Sequence, residues 1–492
     1  MYRTVAQLDS VMGTLAAFFP QLCTRVELPN RSVEGRPIYA SRIRAGGGTN
    51  RRGVLIVGGM HARELMNPDA IVELQLDLVL SYLNETGRAY GDAKWSALDI
   101  KVMMETLDIW ILPCANPDGR EFVMFGDDKM WRQNRRDNPG TPCDGVDVNR
   151  NCDFVWKVTG AATTCDPCSN TRAYVGSSPF SEPESRNIEY LCDTHRIDVF
   201  VDVHSYSELV LHPWGHAPTQ TTDPSKRFTN LTTGTCAPLN PPGHQEFMSP
   251  RDHLRYRTVA RRIADAIRAV RGRNYTLKTI YQVYNSTTTG TCSDYVYSRH
   301  IANPARHKTY GFAFETGPDT GNILCSFQPT DPAPIKRDAK AGMLSLIQQY
   351  GCALEFIGAT LLGASVQPIR DVRDDLLATT DVGREWIDLF ERVQKPLLGE
   401  VLSDKALTQE AMSLFKRVQE LLGKDKAIAS AHDVKRGLAF LDELVARTTS
   451  DSVRTDLSTV RKQLKKAKGK GVRKILEGLL RTRRRPVKKS PK

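Results

Sequence analysis

Val54-Leu-Ile-Val-Gly-Gly-Met-His-Ala-Arg-Glu64 is an apolar run that stops at a glycine pair and gives way at once to ionisable residues. A short apolar run bounded by glycine reads as a buried strand. A helical pattern takes over at Ile71–Leu83, with Asn67 as its predicted N-cap and Pro68 at its first position. Working outward, similar runs occur at Ile109–Leu112, Val199–Val203 and Tyr310–Phe314, and helical patterns fall between them at Glu182–Thr194 and Asp252–Arg271. This alternation across residues 1–352 predicts an α/β domain with a largely parallel sheet. An amphipathic helix, Val5–Phe19, opens it.

From Ala353 the strand-like runs and the cysteines stop. Amphipathic stripes replace them: Trp386, Leu389, Phe390, Val393; Met412, Phe415, Val418, Leu422; Val434, Leu438, Leu441, Val445; and Val453, Leu457, Val460, Leu464. The expectation is a linker at 353–371, a small all-α bundle over 372–466 and a basic tail at 467–492. Such short stripes fall below what a coiled coil needs.

The 492 residues carry 68 Lys+Arg against 56 Asp+Glu, a formal net charge of +12. That excess is not spread over the fold. Residues 451–492 hold 16 basic and 3 acidic residues, so residues 1–450 hold 52 and 53 and are nearly neutral. No apolar run of 18 residues occurs in the sequence, which excludes a spanning helix of the usual length. In the tail, Val472, Ile475, Leu476, Leu479 and Leu480 form an apolar stripe among arginines and lysines. Such a segment suits an anionic surface or polymer. The absence of aromatic residues from 451 onward argues against base stacking, and no specific nucleic-acid partner is expected.

Eleven cysteines all precede Ala353, and Cys143, Cys152, Cys165 and Cys168 crowd together. Their spacing matches no standard zinc-ligand pattern, so a disulfide cluster is the better reading and a zinc knuckle the weaker. Five glycosylation sequons, at Asn30, Asn84, Asn230, Asn274 and Asn285, point to secretion. No signal peptide is legible, because Asp9 precedes the apolar stretch Val11–Phe19 and Pro20 follows it. A cytoplasmic location therefore stays open.

The chemistry-bearing residues sit at strand ends. His61 and Glu64 follow the first run, His204 closes Val199-Phe-Val-Asp-Val-His204, and Glu315 closes Tyr310-Gly-Phe-Ala-Phe-Glu315. Open α/β sheets bind ligands beyond the carboxyl ends of their strands. Two histidines and one glutamate make a three-ligand catalytic zinc site, and a further carboxylate is left to take a proton from water. Arg132 follows the Asn116-Pro-Asp-Gly119 turn, and Asn149 and Arg150 lie together in Gly145-Val-Asp-Val-Asn-Arg-Asn151. An arginine fork recognises a carboxylate bidentately.

His61-Ala-Arg-Glu64, Asn116-Pro-Asp-Gly119, Gly145–Asn151, Asp202-Val-His-Ser-Tyr206 and Phe312-Ala-Phe-Glu315 stand in the order seen in zinc metallocarboxypeptidases of the carboxypeptidase A/B type. The resemblance covers residues 1–352 and is nearest to the microbial secreted branch, through Asp166-Pro-Cys168 and Phe180-Ser-Glu-Pro-Glu184. It implies an eight-stranded mixed sheet flanked by helices, one Zn2+ per catalytic domain, and a monomer that removes C-terminal residues from peptides or proteins. His61, Glu64 and His204 would bind zinc, Glu315 would be the general base toward a zinc-bound water, and Arg132 would stabilise the oxyanion. Asn149, Arg150 and Tyr281 would hold the terminal carboxylate, while Arg63, Ser205 and Tyr206 would line the upstream subsites. Asp147 would orient a zinc histidine, and Cys143 would pair with Cys168.

The sequence departs from that pattern in three places. Val283–Ser293 is threonine-rich and lengthens the path from Tyr281 to Glu315. Ser293, at the position that usually sets the specificity pocket, is neither apolar nor acidic. No inhibitory pro-domain is expected ahead of a domain that starts within the first ten residues. Two alternatives remain: an amidase of cell-wall peptides or linked glutamates on the same scaffold, and an inert zinc-binding module whose helical region does the work.

Overall fold

The computed structural model describes residues 2–47, 51–351, 389–390, 393–394, 397–422 and 429–465, and the chain divides into two compact units, Met1–Gly351 and Cys352–Lys492. The first unit begins α1 (Val5–Phe18), β1 (Cys23–Glu27), β2 (Tyr39–Ile43), β3 (Arg52–Gly58), α2 (Met66–Leu83), α3 (Ala97–Thr106), β4 (Leu107–Leu112), α4 (Pro117–Phe125) and α5 (Pro183–Thr194). It continues β5 (Val199–His204), β6 (Leu209–His212), β7 (Thr219–Thr221), β8 (Gln245–Phe247), α6 (Pro250–Arg271), β9 (Thr276–Thr279) and α7 (Ile280–Tyr284). It ends α8 (Cys292–Ala302), β10 (Tyr310–Glu315), α9 (Ile323–Phe327) and α10 (Ala333–Tyr350).

Eight strands form one mixed sheet in the order β1-β2-β4-β3-β5-β10-β6-β9. The central pairings β4–β3, β3–β5 and β5–β10 are parallel, whereas β1–β2, β2–β4 and β10–β6 are antiparallel. All seven residues of β3 and all six of β5 are buried, as a strand covered on both faces requires. Helix α10 packs on α6, α2 and β3, and α8 packs on β10 and β5.

The turn leaving β3 depends on glycine. Gly59 has φ +64°, and a Cβ there would lie 3.1 Å from both Cys114 Cα and Pro68 Cγ. Only a residue without a side chain lets α2 begin so close behind the strand. Asn67 does not cap α2, contrary to expectation; the helix starts at Met66 after Leu65. The Asn67 amide instead bridges two other segments, donating to Ser205 Oγ at 3.3 Å and accepting from Thr316 Oγ1 at 2.8 Å. Helix α1 ends one residue short of its predicted limit, burying Leu8, Met12 and Leu15.

Cysteine pairing ties the long connection after β4 to the rest of the first unit. Cys143 bonds Cys168, and Cys165 bonds Cys236 outside the crowded stretch. Cys152 Sγ lies 2.8 Å from Cys292 Sγ. The four crowded cysteines therefore converge on no common point, which removes the zinc-knuckle reading.

In the second unit, α11 (Lys405–Leu422), α12 (Ala431–Arg447) and α13 (Asp451–Leu464) are amphipathic helices. Leu389, Val393, Leu397, Val401, Leu407, Leu444, Val453 and Leu457 form its core. Val418, expected on the inner stripe of α11, is exposed, while Phe415 is buried. The predicted linker 353–371, Trp386 and the basic tail 467–492 fall outside the described residues.

Asp252 joins α6 to the sheet. Its carboxylate accepts from Lys308 Nζ at 2.6 Å, Tyr310 Oη at 2.7 Å and Tyr297 Oη at 2.8 Å. Burial alone would push this carboxyl up, but the Lys308 charge and the two phenols bring it down to about 2. Because the folded value is depressed, the stabilisation is full above the ordinary carboxylate range and is lost as pH falls through about 2. Asp252→Asn is expected to cost on the order of 2 kcal/mol at pH 7. Denaturant unfolding of both proteins from pH 7 to pH 2 checks this, the gap between them closing toward the acid end.

Candidate active site

His204 and Glu315 end adjacent parallel strands and are register partners, and Gly58 of β3 pairs with Val203 on the other side of β5. Three central strands thus finish together, and the turn after β3 brings in His61 and Glu64. All three cluster residues, His61, Glu64 and His204, are buried, and one ligand atom from each lies within 4.8 Å of the others.

The outer nitrogen of each imidazole rests on a carboxylate. His61 Nε2 lies 3.2 Å from Asp147 Oδ1, and His204 Nε2 makes a short contact with Asp202 Oδ2. A carboxylate accepts only, so these outer nitrogens carry the hydrogens. The inner nitrogens face Glu64, His61 Nδ1 at 2.8 Å from Oε1 and His204 Nδ1 at 3.1 Å from Oε2. Burial opposes charge on His204, but Asp202 and Glu64 outweigh it and hold this imidazole well above its ordinary range. A metal ion among these three ligand atoms would take the place of the inner hydrogens. The donor set, two nitrogens and one oxygen, is that of a catalytic zinc site.

Asp147 has a second partner, accepting from Arg132 Nε at 2.9 Å through Oδ2. Burial opposes the Asp147 charge, but Arg132 and His61 hold this carboxyl well below the usual range. Burial likewise opposes the Arg132 charge, and Asp147 outweighs it, keeping the guanidinium charged. The Glu315 carboxyl is pushed up to about 8 by burial, with Glu64 and Asp202 adding to the effect and His204 and Arg132 opposing it. A carboxyl poised this high suits proton transfer near neutral pH.

Arg150 is buried, with Nε donating to Ala162 O and Nη1 to Asn149 O, each at 2.6 Å. Its Nη2 has no acceptor among the described residues and is free for a ligand. Gly290, at φ +66°, makes this placement possible, since a Cβ there would lie 2.1 Å from Arg150 O. Asn149 is more occupied than its expected role suggests. Its Nδ2 donates to Asp202 Oδ2 at 3.1 Å and its Oδ1 accepts from Cys292 N at 2.8 Å.

Tyr281, half-buried, stands at the start of α7 with its N–H donated to Trp214 O. Ser293 is buried at the start of α8, next to Asp294, whose Oδ2 accepts from Gly215 N at 2.9 Å. Ser205 donates its N–H to Glu64 Oε2 at 3.1 Å. Arg63 stacks on the Phe327 ring at 4.1 Å, and Tyr206 meets the same ring edge-on at 4.9 Å.

Sequence reasoning missed three participants. Asp202 is the partner of His204, and its signal was available, since residues two apart on a strand share a face. Phe327 joins Arg63 to Tyr206 from α9, and Asn67 joins Ser205 to Thr316 at the start of α2. Neither belongs to a strand-end motif, so no pattern marked them as part of the site.

The profile of the zinc carboxypeptidase family matches residues 8–343, and the chain belongs to that family. It is 31% identical over 218 residues to carboxypeptidase A4 of Mus musculus, covering 44% of this chain and 47% of that one. It is 32% identical over 262 residues to metallocarboxypeptidase A of Trichophyton tonsurans, covering 51% of each. The chain thus spans about half the length of the curated relatives it matches. Among solved structures, carboxypeptidase A from Helicoverpa armigera superposes with a TM-score of 0.51 at 25% identity, covering 70% of this chain and 74% of that one.

Asp202→Asn leaves His204 without the carboxylate that fixes its tautomer. Zinc affinity is expected to fall about 10–100-fold, as for other groups that orient a metal-binding histidine. Competition against a chromogenic chelator measures it, and an unchanged affinity would remove Asp202 from the site.

Proposed function

We propose that the first unit is a zinc-dependent carboxypeptidase that hydrolyses the C-terminal residue of peptides and proteins. The observation that carries this reading is the register pairing of Glu315 with His204, which sets a half-buried carboxyl beside a His61–Glu64–His204 cluster. Bound by these three side chains, Zn2+ would supply a Lewis acid that polarises the scissile carbonyl and acidifies water.

The chain's own groups do the rest. Glu315 takes a proton from the attacking water and later gives it to the departing amine. Arg132, held by Asp147, donates to the carbonyl oxygen as negative charge builds there. The free Nη2 of Arg150 takes the substrate's terminal carboxylate, with Tyr281 closing over it and Asn149 stiffening the wall through Asp202 and Cys292. The residue being released sits against Ser293, and Arg63, Ser205 and Tyr206 line the upstream side. Two disulfides and five sequons support an oxidising, secretory compartment. The basic segment at the C-terminus is assigned to weak attachment to anionic surfaces or polymers, on its charge alone.

A panel of blocked dipeptides, with chelator and zinc-rescue controls, tests the activity. Glu315→Gln is expected to lower kcat by about a hundredfold to ten-thousandfold while zinc content stays constant. Wild-type turnover by this variant would overturn the mechanism, and stoichiometric zinc without hydrolysis of any substrate would leave an inert module. Removing residues 467–492 is expected to spare turnover and abolish retention on an anionic matrix at low salt; equal retention would discard the attachment role.

A further inference from the structure

A second cluster with metal-ligand chemistry lies apart from the catalytic residues. His216, His244 and Glu246 are all buried, at 0%, 7% and 0% exposure, and one ligand atom from each lies within 4.8 Å of the other two. His216 Nε2 and His244 Nε2 both converge on Glu246 Oε2, each at 2.9 Å. The remaining oxygen, Oε1, accepts the N–H of Phe228 at 3.0 Å, which fixes the carboxylate plane with Oε2 turned to the rings.

Local structure explains the convergence. His244 and Glu246 are two residues apart at β8, so the pleat projects them to one side. His216 lies three residues ahead of β7, and β7 pairs in parallel with β8 from Thr219↔Gln245. Around the cluster, Phe154 meets the His216 ring edge-on at 5.1 Å, Trp214 does so at 5.7 Å, and Phe228 packs on both aromatic rings. The imidazole centroids are 5.7 Å apart.

Charge then decides what belongs there. With both imidazoles neutral, the cluster buries one carboxylate, and no lysine or arginine forms an ion pair with Glu246 among the described residues. An uncompensated buried carboxylate is costly, and a divalent cation on the two Nε2 atoms and Oε2 removes that cost. Two imidazoles and one carboxylate are borderline ligands that favour Zn2+ over Mg2+ or Ca2+. We propose that His216, His244 and Glu246 form a second, structural zinc site, distinct from the one at His61, Glu64 and His204.

Its position gives it a task. The segment Pro213–Ala217 carries Trp214, whose carbonyl accepts Tyr281 N, and Gly215, whose carbonyl accepts Thr288 N. The metal would staple the β7–β8 excursion to this segment, and through it to α7, which bears Tyr281, and to the connection leading into α8, which bears Ser293. The Cys165–Cys236 disulfide secures the same excursion at another point.

Metal analysis of the purified full-length chain tests the proposal, after exhaustive dialysis against metal-free buffer and one challenge with excess Zn2+. The wild type is expected to hold two zinc equivalents, and His244→Ala and Glu246→Gln one each. His204→Ala is expected to keep one equivalent, and the His204→Ala/His244→Ala pair none. The readout is metal content, so an inactive protein still reports on this site and failure of the peptidase reading stays separable. X-ray absorption at the zinc edge of His204→Ala should show a mixed nitrogen and oxygen shell, which needs no variant at the new site. The proposal is overturned if His204→Ala retains no zinc, or if His244→Ala and Glu246→Gln both bind as much as the wild type.

Discussion

The Glu64 carboxylate faces the inner nitrogens of two imidazoles, and the surrounding structure is organised to keep those nitrogens available to a metal. Asp147 and Asp202 fix the tautomers from outside, Ser205 N–H braces one Glu64 oxygen, and Arg132 neutralises Asp147. Without the outer carboxylates, either ring could keep its single N–H on the Glu64 side, where it would compete with a metal. Burial strengthens every one of these interactions by excluding water. The same burial holds the Glu315 carboxyl high enough to exchange protons near neutral pH. One electrostatic constraint therefore sets the metal-binding tautomers, the charge on Arg132 and the proton affinity of Glu315.

The scaffold meets that constraint by ending three buried strands at one level. Only β3, β5 and β10 need be placed accurately, and each is a short apolar segment with at least one parallel neighbour in the sheet. This is why so much of the architecture was legible. Fully buried parallel strands read as uninterrupted apolar runs, and His204 and Glu315 mark where two of them stop. Residues recruited from loops were harder to see. Phe327 is an ordinary aromatic in sequence and gains meaning only when α9 is folded against Arg63 and Tyr206.

Local preference misled at Asn67 and Val418 for a common reason. Asparagine is a favoured helix cap, but at the mouth of the site its two-ended amide is used to join Ser205 to Thr316. Val418 has helical spacing from Phe415, yet the buried stripe of α11 runs through Phe415 and Leu421 and leaves Val418 exposed. The His216, His244 and Glu246 cluster was also hidden, because 27 residues separate its first two members and no regular period links them. The partner of Cys165 was hidden in the same way, lying at Cys236, beyond β7.

The pairing of Glu315 with His204 has one more implication. Two side chains fixed by strand register are coupled to the accuracy of the whole hydrogen-bond ladder between β5 and β10. A slip of one residue would throw Glu315 to the opposite face of the sheet, and a slip of two would carry it about 7 Å along the strand. Neither error need change the content of secondary structure. A chain mispaired in this way would be compact, folded by most spectroscopic criteria and chemically silent, so catalytic competence serves as a reporter of topological fidelity in this fold.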